Sequence, residues 1–435
     1  MSVRPIKINI DELKKLTQEN FITVSEAINQ GGLMQKLVLR TLEKLKNGQL
    51  IITLPNKKSF KIGESLNPSS VAQITIKDDI FFKRIVLGSD IGLTESYIAG
   101  EWDSPNLTAV IGFFIQNIDN TPGMSGSAVK NIALGAFRLA DRLEHLLRPN
   151  SVKNVRSNIA AHYDVSNDFF KLFLDESMMY SSARWDGCKT LAEAQIQKNR
   201  ALCEQLQLKS SDHVIEIGTG WGGWAIQAVK NYGCRVTTLT ISKAQFDLAT
   251  ERVKSAGLSD KIEVRLEDFR THQGSYDKCV SIEMMEALGH QYLPEFCGSV
   301  GRLLKQNGIA AFQYITCPDS RYEQFRKGVD FIQKHIFPGS LLLSINRVNQ
   351  LMTERGGFQL HRLEEFGPDY ARTLATWCDT FEQNLDKVRG MGFDEFFIRK
   401  WRLYFRYCEA AFAHRNIGVV QAVYIRPNWS NEGIR

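Results

Sequence analysis

The sequence, 435 residues long, is marked first by what it lacks. No run approaches the roughly 20 apolar residues that a bilayer-spanning helix needs. The most apolar candidate, AVIGFFIQNI at 109–118, is about half that length. The opening residues, MSVRPIKINIDELKK, hold no apolar signal core, so export is not expected. Eight cysteines, at 188, 203, 234, 279, 297, 317, 378 and 408, are scattered without a CxxC pair. That spacing argues against a disulfide framework and suggests no zinc or other metal site; a reducing cytoplasm fits it best. Charge of one sign is also scarce. Lys plus Arg number 54 against 48 Asp plus Glu, a net +6. This is far short of the dense basic stripe of a nucleic-acid binder, and no nucleic acid partner is expected. Internal repeats and extended low-complexity tracts are absent too.

What is present is ordinary globular composition, 43% hydrophobic and 23% charged, with length for two or three domains at about 150 residues each. The first 120 residues mix a helical pattern, LMQKLVLRTLEKLK at 33–46, with short alternating runs at 49–54, 59–62 and 71–76. A breaker cluster, TPGMSGS at 121–127, precedes a basic amphipathic stretch carrying Arg138, Arg142 and Arg148. The expected division is a smaller α+β accessory domain at 1–120, a linker at 121–154 and a catalytic domain at 155–435. In the last, apolar runs at 213–217, 235–239, 262–266, 278–282 and 309–314 alternate with helical patterns. That alternation predicts an α/β fold built on a doubly wound, mostly parallel sheet. An aromatic helical pattern follows at 396–412.

Residues 214–223 read VIEIGTGWGG, a strand entering a glycine-rich turn before a helical pattern. Gly218 and Gly220 supply a tight turn and let a ligand approach the backbone without a Cβ in the way. No GK[ST] follows, so a phosphate loop is not indicated. The context favours S-adenosylmethionine (AdoMet) over a nicotinamide dinucleotide. The acidic residue that usually ends the second strand and holds ribose hydroxyls is missing; the chain there reads Thr238-Leu239-Thr240-Ile241-Ser242. Gln245 either bonds those hydroxyls or caps its helix. Asp268 and Phe269, past the third strand, are placed to accept from an adenine amino group and to cover its ring.

Taken in order, the motifs resemble the cyclopropane-fatty-acyl-phospholipid synthase family, which includes the mycolic acid cyclopropane synthases. The resemblance runs from about residue 80 onward. It rests on FFKRIVLGSDIGLTESYIAGEWDSPNL (81–107), with Gly92, Glu95, Ser96, Gly100, Trp102 and Asp103 in register, and on NIAAHYDVSNDFFKLFLDESMMYSSARW (158–185). The glycine turn, TISKAQ (240–245) and SIEMMEALGH (281–290) follow. IFPGSLLLS (336–344), FGPDYARTLATW (366–377) and YCEAAF (407–412) complete the set.

The resemblance implies a Rossmann-like class I methyltransferase domain with a helical lid. It implies AdoMet contacts at Tyr180 and Ser181, then at Gly218, Thr219, Gly220, Trp221 and Gly222. Further contacts fall on Thr240, Ile241, Ser242, Lys243, Ala244 and Gln245, and on Phe269 and Arg270. It also implies a bound bicarbonate acting as base, with Glu286 and Tyr370 around it and Ile315 at another position for the ion. Ser182 and Gln313 stand where many members carry Cys and His; both can still donate to an anion. Residues 283–287, EMMEA, replace a Gly-x-Phe-Glu-His pattern of other branches. Cys408 matches a cysteine considered for catalysis in the family, and it also reads as a small buried apolar residue of an aromatic helix.

The implied reaction transfers a methyl(ene) group from AdoMet to the double bond of unsaturated phospholipid acyl chains, forming cyclopropane fatty acids. A fatty-acid C-methyltransferase giving methyl- or methylene-branched chains is the nearest rival. A small-amine N-methyltransferase and a non-catalytic lipid-binding protein are others. The expected location is cytoplasmic, peripheral on the inner membrane face. Phe81, Phe82, Lys83 and Arg84, or the Arg138/Arg142/Arg148 stripe, would meet anionic lipid there, or else form solvated faces. A homodimer is compatible with the sequence.

Overall fold

The computed structural model describes residues 20–64, 71–118 and 166–429. The expected linker and the stripe of Arg138, Arg142 and Arg148 lie outside the described residues. The chain opens with α1 (Val24–Gln30) and α2 (Leu33–Leu42), then β1 (Gly48–Thr53), β2 (Ser59–Glu64), β3 (Ala72–Ile76), α3 (Ile80–Ile98), β4 (Trp102–Asp103) and α4 (Leu107–Gln116). Next come α5 (Leu191–Gln205), β5 (His213–Ile217), α6 (Gly223–Tyr232), β6 (Arg235–Thr240), α7 (Lys243–Ser255), β7 (Ile262–Leu266) and β8 (Tyr276–Ile282). The remainder holds α8 (Leu293–Leu303), β9 (Leu304–Thr316), β10 (Gln359–Glu365), α9 (Gly367–Gln383), α10 (Glu395–Ala413) and β11 (Gly418–Ile425). Caps fix several helix starts: Thr23 and Glu26 form a reciprocal capping box on α1, and Thr190 and Glu193 do the same on α5.

Seven strands form one sheet in the order β10-β11-β9-β8-β5-β6-β7. β7, β6, β5, β8 and β9 run parallel, and β11 and β10 add an antiparallel edge. This is the α/β methyltransferase architecture. Because β5 lies between β6 and β8, the strand order reverses there, which opens a crevice beyond the carboxyl ends of β5 and β8. Ile215, Ile217, Phe312 and Tyr424 on one face and Val214, Val236 and Val280 on the other are buried under helices. The expected strands are all present. β10 was not foreseen because it is largely exposed along its length and shows no apolar alternation; β11, GVVQAVYI, is buried along nearly all its length and was not foreseen either.

A second sheet, ordered β2-β1-β3-β4, belongs to the N-terminal part. The chain divides into two compact units, and the division departs from the sequence-based boundaries. Gly328–His335 and Leu385–Asn416 group with the N-terminal residues, not with the alternating section. The reason is α10. Its apolar side, including Ile398, Trp401 and Phe405, is buried. Its Arg399 also grips the first unit: Nε donates to Tyr97 O at 2.6 Å, one terminal nitrogen to Trp102 O at 2.8 Å and the other to Asp103 at 2.7 Å. Glu95 likewise accepts from His335 at 3.0 Å and pairs with Lys334. Several signature residues of 81–107 are therefore structural clamps.

Phe81 and Phe82 are each 2% exposed, packed edge-to-face with ring centroids 5.1 Å apart. Arg84 pairs with Glu101 at 2.6 Å. This segment is core, so it is not the apolar membrane contact that its sequence suggested.

Candidate active site

The glycine turn leaves β5 at Ile217 and enters α6. Gly218, Gly220 and Gly222 have φ of 102°, 52° and 80°, a region that side-chain-bearing residues rarely adopt. A Cβ on Gly218 would come within 3.0 Å of Met284, whereas one on Gly220 would meet nothing within 4 Å. The turn is thus packed on one side and open on the other. The amides of Gly218 and Thr219 both donate to Leu239 O at 3.0 Å, tying the turn to β6. Below it, Glu216 lies 2.6 Å from the Thr238 hydroxyl, which is 2.7 Å from that of Thr219. Burial pushes the Glu216 carboxyl up to about 8. The buried Trp221 indole donates to Asn167 at 2.8 Å, and Arg252 holds the Trp221 carbonyl at 2.6 Å.

At the end of β6 the Thr240 hydroxyl donates to Gln245 Oε1 at 2.9 Å, and Ser242 caps α7. With its carbonyl so engaged, the Gln245 side chain keeps its amide NH₂ as a donor for a ligand hydroxyl. Ile241 is half-buried; Lys243 pairs with Asp247 on the surface, and Ala244 is exposed. Phe269 is buried against Phe296. Arg270 clamps Asp268 through contacts of 2.9 and 2.6 Å, so the carboxylate expected to face an adenine is engaged within the protein.

Tyr180 sits in an aromatic wall, its ring 5.2 Å from Phe170 and 5.3 Å from Trp377. Its neighbour Ser181 accepts from the fully buried Lys198 at 2.9 Å. Burial lowers that ammonium to about 8. Lys198 was missed in the sequence, although it lies on the stripe Ala194, Lys198, Leu202 at steps of four, where an apolar residue is the norm.

The densest polar cluster lies past β8. Glu286, in a short 3₁₀ turn, accepts from the Ile315 amide at 2.5 Å, and its other oxygen is buried without a partner. Burial, reinforced by the charge of Glu283, pushes Glu286 to about 8. Tyr370, Ser182 and Gln313 do converge, but on Glu283. Its Oε1 accepts from Ser182 N and Gln313 Nε2, each at 2.8 Å, and its Oε2 accepts from the Tyr370 hydroxyl at 2.7 Å. Burial raises Glu283 above the usual carboxylate range. The donors that the resemblance assigned to bicarbonate thus hold a side chain of the protein. Glu283 was missed because the expected pattern has glycine there. The available signal was two acidic residues three apart at the carboxyl end of a strand flanking the switch point. Helix α9 positions the cluster: its Thr373 and Asp369 accept from the amides of Ala183 and Trp185, bringing Ser182 beside Tyr370.

Cys408 is on a different unit from these residues: it lies on α10 in the first, whereas the cluster is built wholly from the second. Burial and the charge of Asp330 hold its thiol well above the ordinary range, the opposite of an activated nucleophile. Among the described residues no three His, Cys, Asp or Glu side chains are grouped to hold a metal ion.

The open glycine turn, the Gln245 amide and the buried Phe269 fit AdoMet. Comparison with known proteins agrees. The profile described as mycolic acid cyclopropane synthetase matches residues 150–422. The chain is similar to the tuberculostearic acid methyltransferase UfaA1 of Mycobacterium tuberculosis, 35% identical over 83% of this chain and 84% of that protein. It is 31% identical to the cyclopropane-fatty-acyl-phospholipid synthase of Escherichia coli K12, over 86% of this chain and 93% of that one. Among solved structures, the mycolic acid cyclopropane synthase CmaA1 complexed with SAH and CTAB matches with a TM-score of 0.58 and 31% identity, covering 62% of this chain and 98% of that one.

Proposed function

This chain belongs to the mycolic acid cyclopropane synthetase family and is an AdoMet-dependent methyltransferase; from that premise we propose that it alkylates the double bond of unsaturated phospholipid acyl chains and closes the adduct to a cyclopropane. The observation that carries the reading is the adjacency of the glycine turn and the carboxylate cluster: Met284, against which Gly218 packs, lies between Glu283 and Glu286 in sequence. When bound, AdoMet supplies an electrophilic methyl group. The chain's own residues do the rest. The turn and Gln245 orient the donor, which a weak alkene nucleophile needs. Tyr180, half-buried and backed by the fully buried Phe170 and Trp377, offers its ring to a developing carbocation, worth about 0.5–2 kcal/mol for a well-placed ring. The carboxylates, with Tyr370, Ser182, Gln313 and Ile315 around them, serve the proton removal that ring closure requires.

Membrane contact is assigned to α2. Leu33, Met34 and Leu37 are 70%, 38% and 46% exposed, next to Lys36 and Arg40 on the same helix. Apolar side chains beside basic heads suit an anionic lipid surface. Among the described residues no helix is long and apolar enough to cross a membrane.

A second reading, alkylation that ends in a methyl- or methylene-branched chain, is favoured by the 35% identity to a protein named tuberculostearic acid methyltransferase. Lipids from cells expressing the chain distinguish the two. A gain of one CH₂ is common to cyclopropane and methylene products, so NMR of the purified fatty acid must show the ring protons. A vinylidene signal in their place would transfer the assignment to the second reading, and unchanged lipids would remove both.

A further inference from the structure

The place at the centre of the donor cluster is occupied by the protein itself. Glu283 follows β8 with φ of +47°, a conformation that glycine adopts freely and glutamate does not. Its carboxylate lies among three donors on separate elements: Ser182 N, Gln313 Nε2 and the Tyr370 hydroxyl. The polarity of this arrangement is set from a distance. Arg184, which can only donate, gives a hydrogen bond to Gln421 Oε1 at 3.1 Å, and Gln205 Nε2 donates to the same oxygen at 3.0 Å. Gln421 must then offer its NH₂, and does so to Gln313 Oε1 at 3.0 Å. Gln313 in turn presents NH₂ to Glu283. The chain Arg184–Gln421–Gln313 therefore ends in a donor that favours an anion.

We infer that Glu283 is the internal proton acceptor of this enzyme, its carboxylate filling the position the donors would otherwise offer to bicarbonate, so that turnover needs no added ion. This deepens the reading above and rests on it. In the step assigned to Glu283, the acyl carbon that has gained the methyl group is joined to a cationic neighbour. One C–H bond of that methyl breaks, its electron pair forms the second ring bond to the cationic carbon, and the proton passes to Glu283, which becomes a neutral acid. Glu286 is the less suitable base: a single amide from another residue, that of Ile315, donates to it, whereas three donors converge on Glu283. Burial with the charge of Glu283 also pushes Glu286 up to about 8.

The test uses the full chain with AdoMet and vesicles of an unsaturated phospholipid, in buffer stripped of CO₂ and again with bicarbonate restored. The expected result is equal wild-type turnover in both. Glu283→Gln should lose roughly 10²- to 10⁴-fold in rate, the contribution of a positioned base, with AdoMet affinity kept. Glu283→Gly accepts the backbone conformation and empties the position, so it should be inactive alone and regain turnover with formate or bicarbonate. Wild-type turnover that depends on bicarbonate overturns the inference. So does full activity in Glu283→Gln, or a Glu283→Gly protein that binds AdoMet and is rescued by neither anion. Failure of the functional reading looks different: the wild-type protein would alkylate no lipid, while calorimetry would still detect formate binding to Glu283→Gly.

Discussion

Both units hold paired charges, as Arg270 on Asp268 shows in the second, but they differ in the carboxylates that burial leaves without a directly bonded cation. In the first, charges meet opposite charges or backbone carbonyls: Arg399 on Tyr97 O, Trp102 O and Asp103, Arg84 on Glu101, and Glu95 against His335 and Lys334. The hydrogen bond from His335, with Lys334 beside it, holds Glu95 down at about 2. In the second unit Glu216, Glu283 and Glu286 are enclosed with mainly neutral donors and are pushed up. Matched charge acts as scaffold, and charge held against its own desolvation acts as latent reactivity. Asp330 is a first-unit exception raised by burial, and its hydrogen bond to Gln333 N is a local cap. The surfaces differ too. Leu33, Met34, Leu37, Ile80, Leu87, Met391 and Phe396 are exposed on the first unit, against Ile196, Leu266 and Leu363 on the second.

The contrast can be broken most forcefully at Arg399. Arg399→Ala removes three charge-assisted hydrogen bonds, each typically worth about 1.5–3 kcal/mol. We expect the first unit to lose roughly 3 kcal/mol or more, seen as an early transition in thermal melts, while AdoMet affinity below that transition is unchanged. A single unshifted transition would show that the clamp does not hold that unit.

Gly220→Val probes the second unit. The left-handed φ strains a β-branched residue by about 1–3 kcal/mol, and the new side chain enters the open side of the turn. Calorimetry should show AdoMet binding weakened roughly 10- to 100-fold, the equivalent of about 1.4–2.8 kcal/mol. Unchanged affinity in a folded variant would move the cofactor elsewhere.

Replacing Leu33, Met34 and Leu37 together by Ser should reduce sedimentation with anionic vesicles several-fold, through lost apolar burial at the interface. Binding should weaken with salt in the wild type because the Lys36 and Arg40 attraction is screened. Equal vesicle binding by wild type and variant would remove α2 as the docking face.

The smallest effect is a pH slope. Glu286 keeps its proton to about pH 8 when folded, against an ordinary carboxyl value of 4.5. The folded state therefore binds the extra proton between those values. That contribution to stability is fully present below about 4.5 and is lost as pH rises through about 8. Denaturant titrations from pH 5 to 8 should show a decline that Glu286→Gln flattens by less than one proton. An identical slope in the variant would place the titration on another group.

Strands β5 to β9 were legible in the sequence because their apolar runs are interrupted by glycine, turn residues and helical periodicity, all local signals. The glycine turn was legible for the same reason, since the requirement for positive φ is met within the turn itself. Glu283, Lys198 and the Phe81–Phe82 pair were not. Each looks unremarkable in its local window: an acidic residue after a strand, a lysine in a helix, and aromatics next to basic residues.

By itself the sequence determined the doubly wound architecture, the cofactor turn and the family, because those depend on residue order and short-range periodicity. Tertiary structure alone decided which carboxylate the donors meet, since Ser182, Glu283, Gln313 and Tyr370 come from four separate elements. It also decided that α10 and Cys408 belong with the N-terminal unit. Burial and hydrogen-bond partnership are properties of the space around a side chain, and that space is filled by residues up to about 300 positions away, as Arg399 and Tyr97 are.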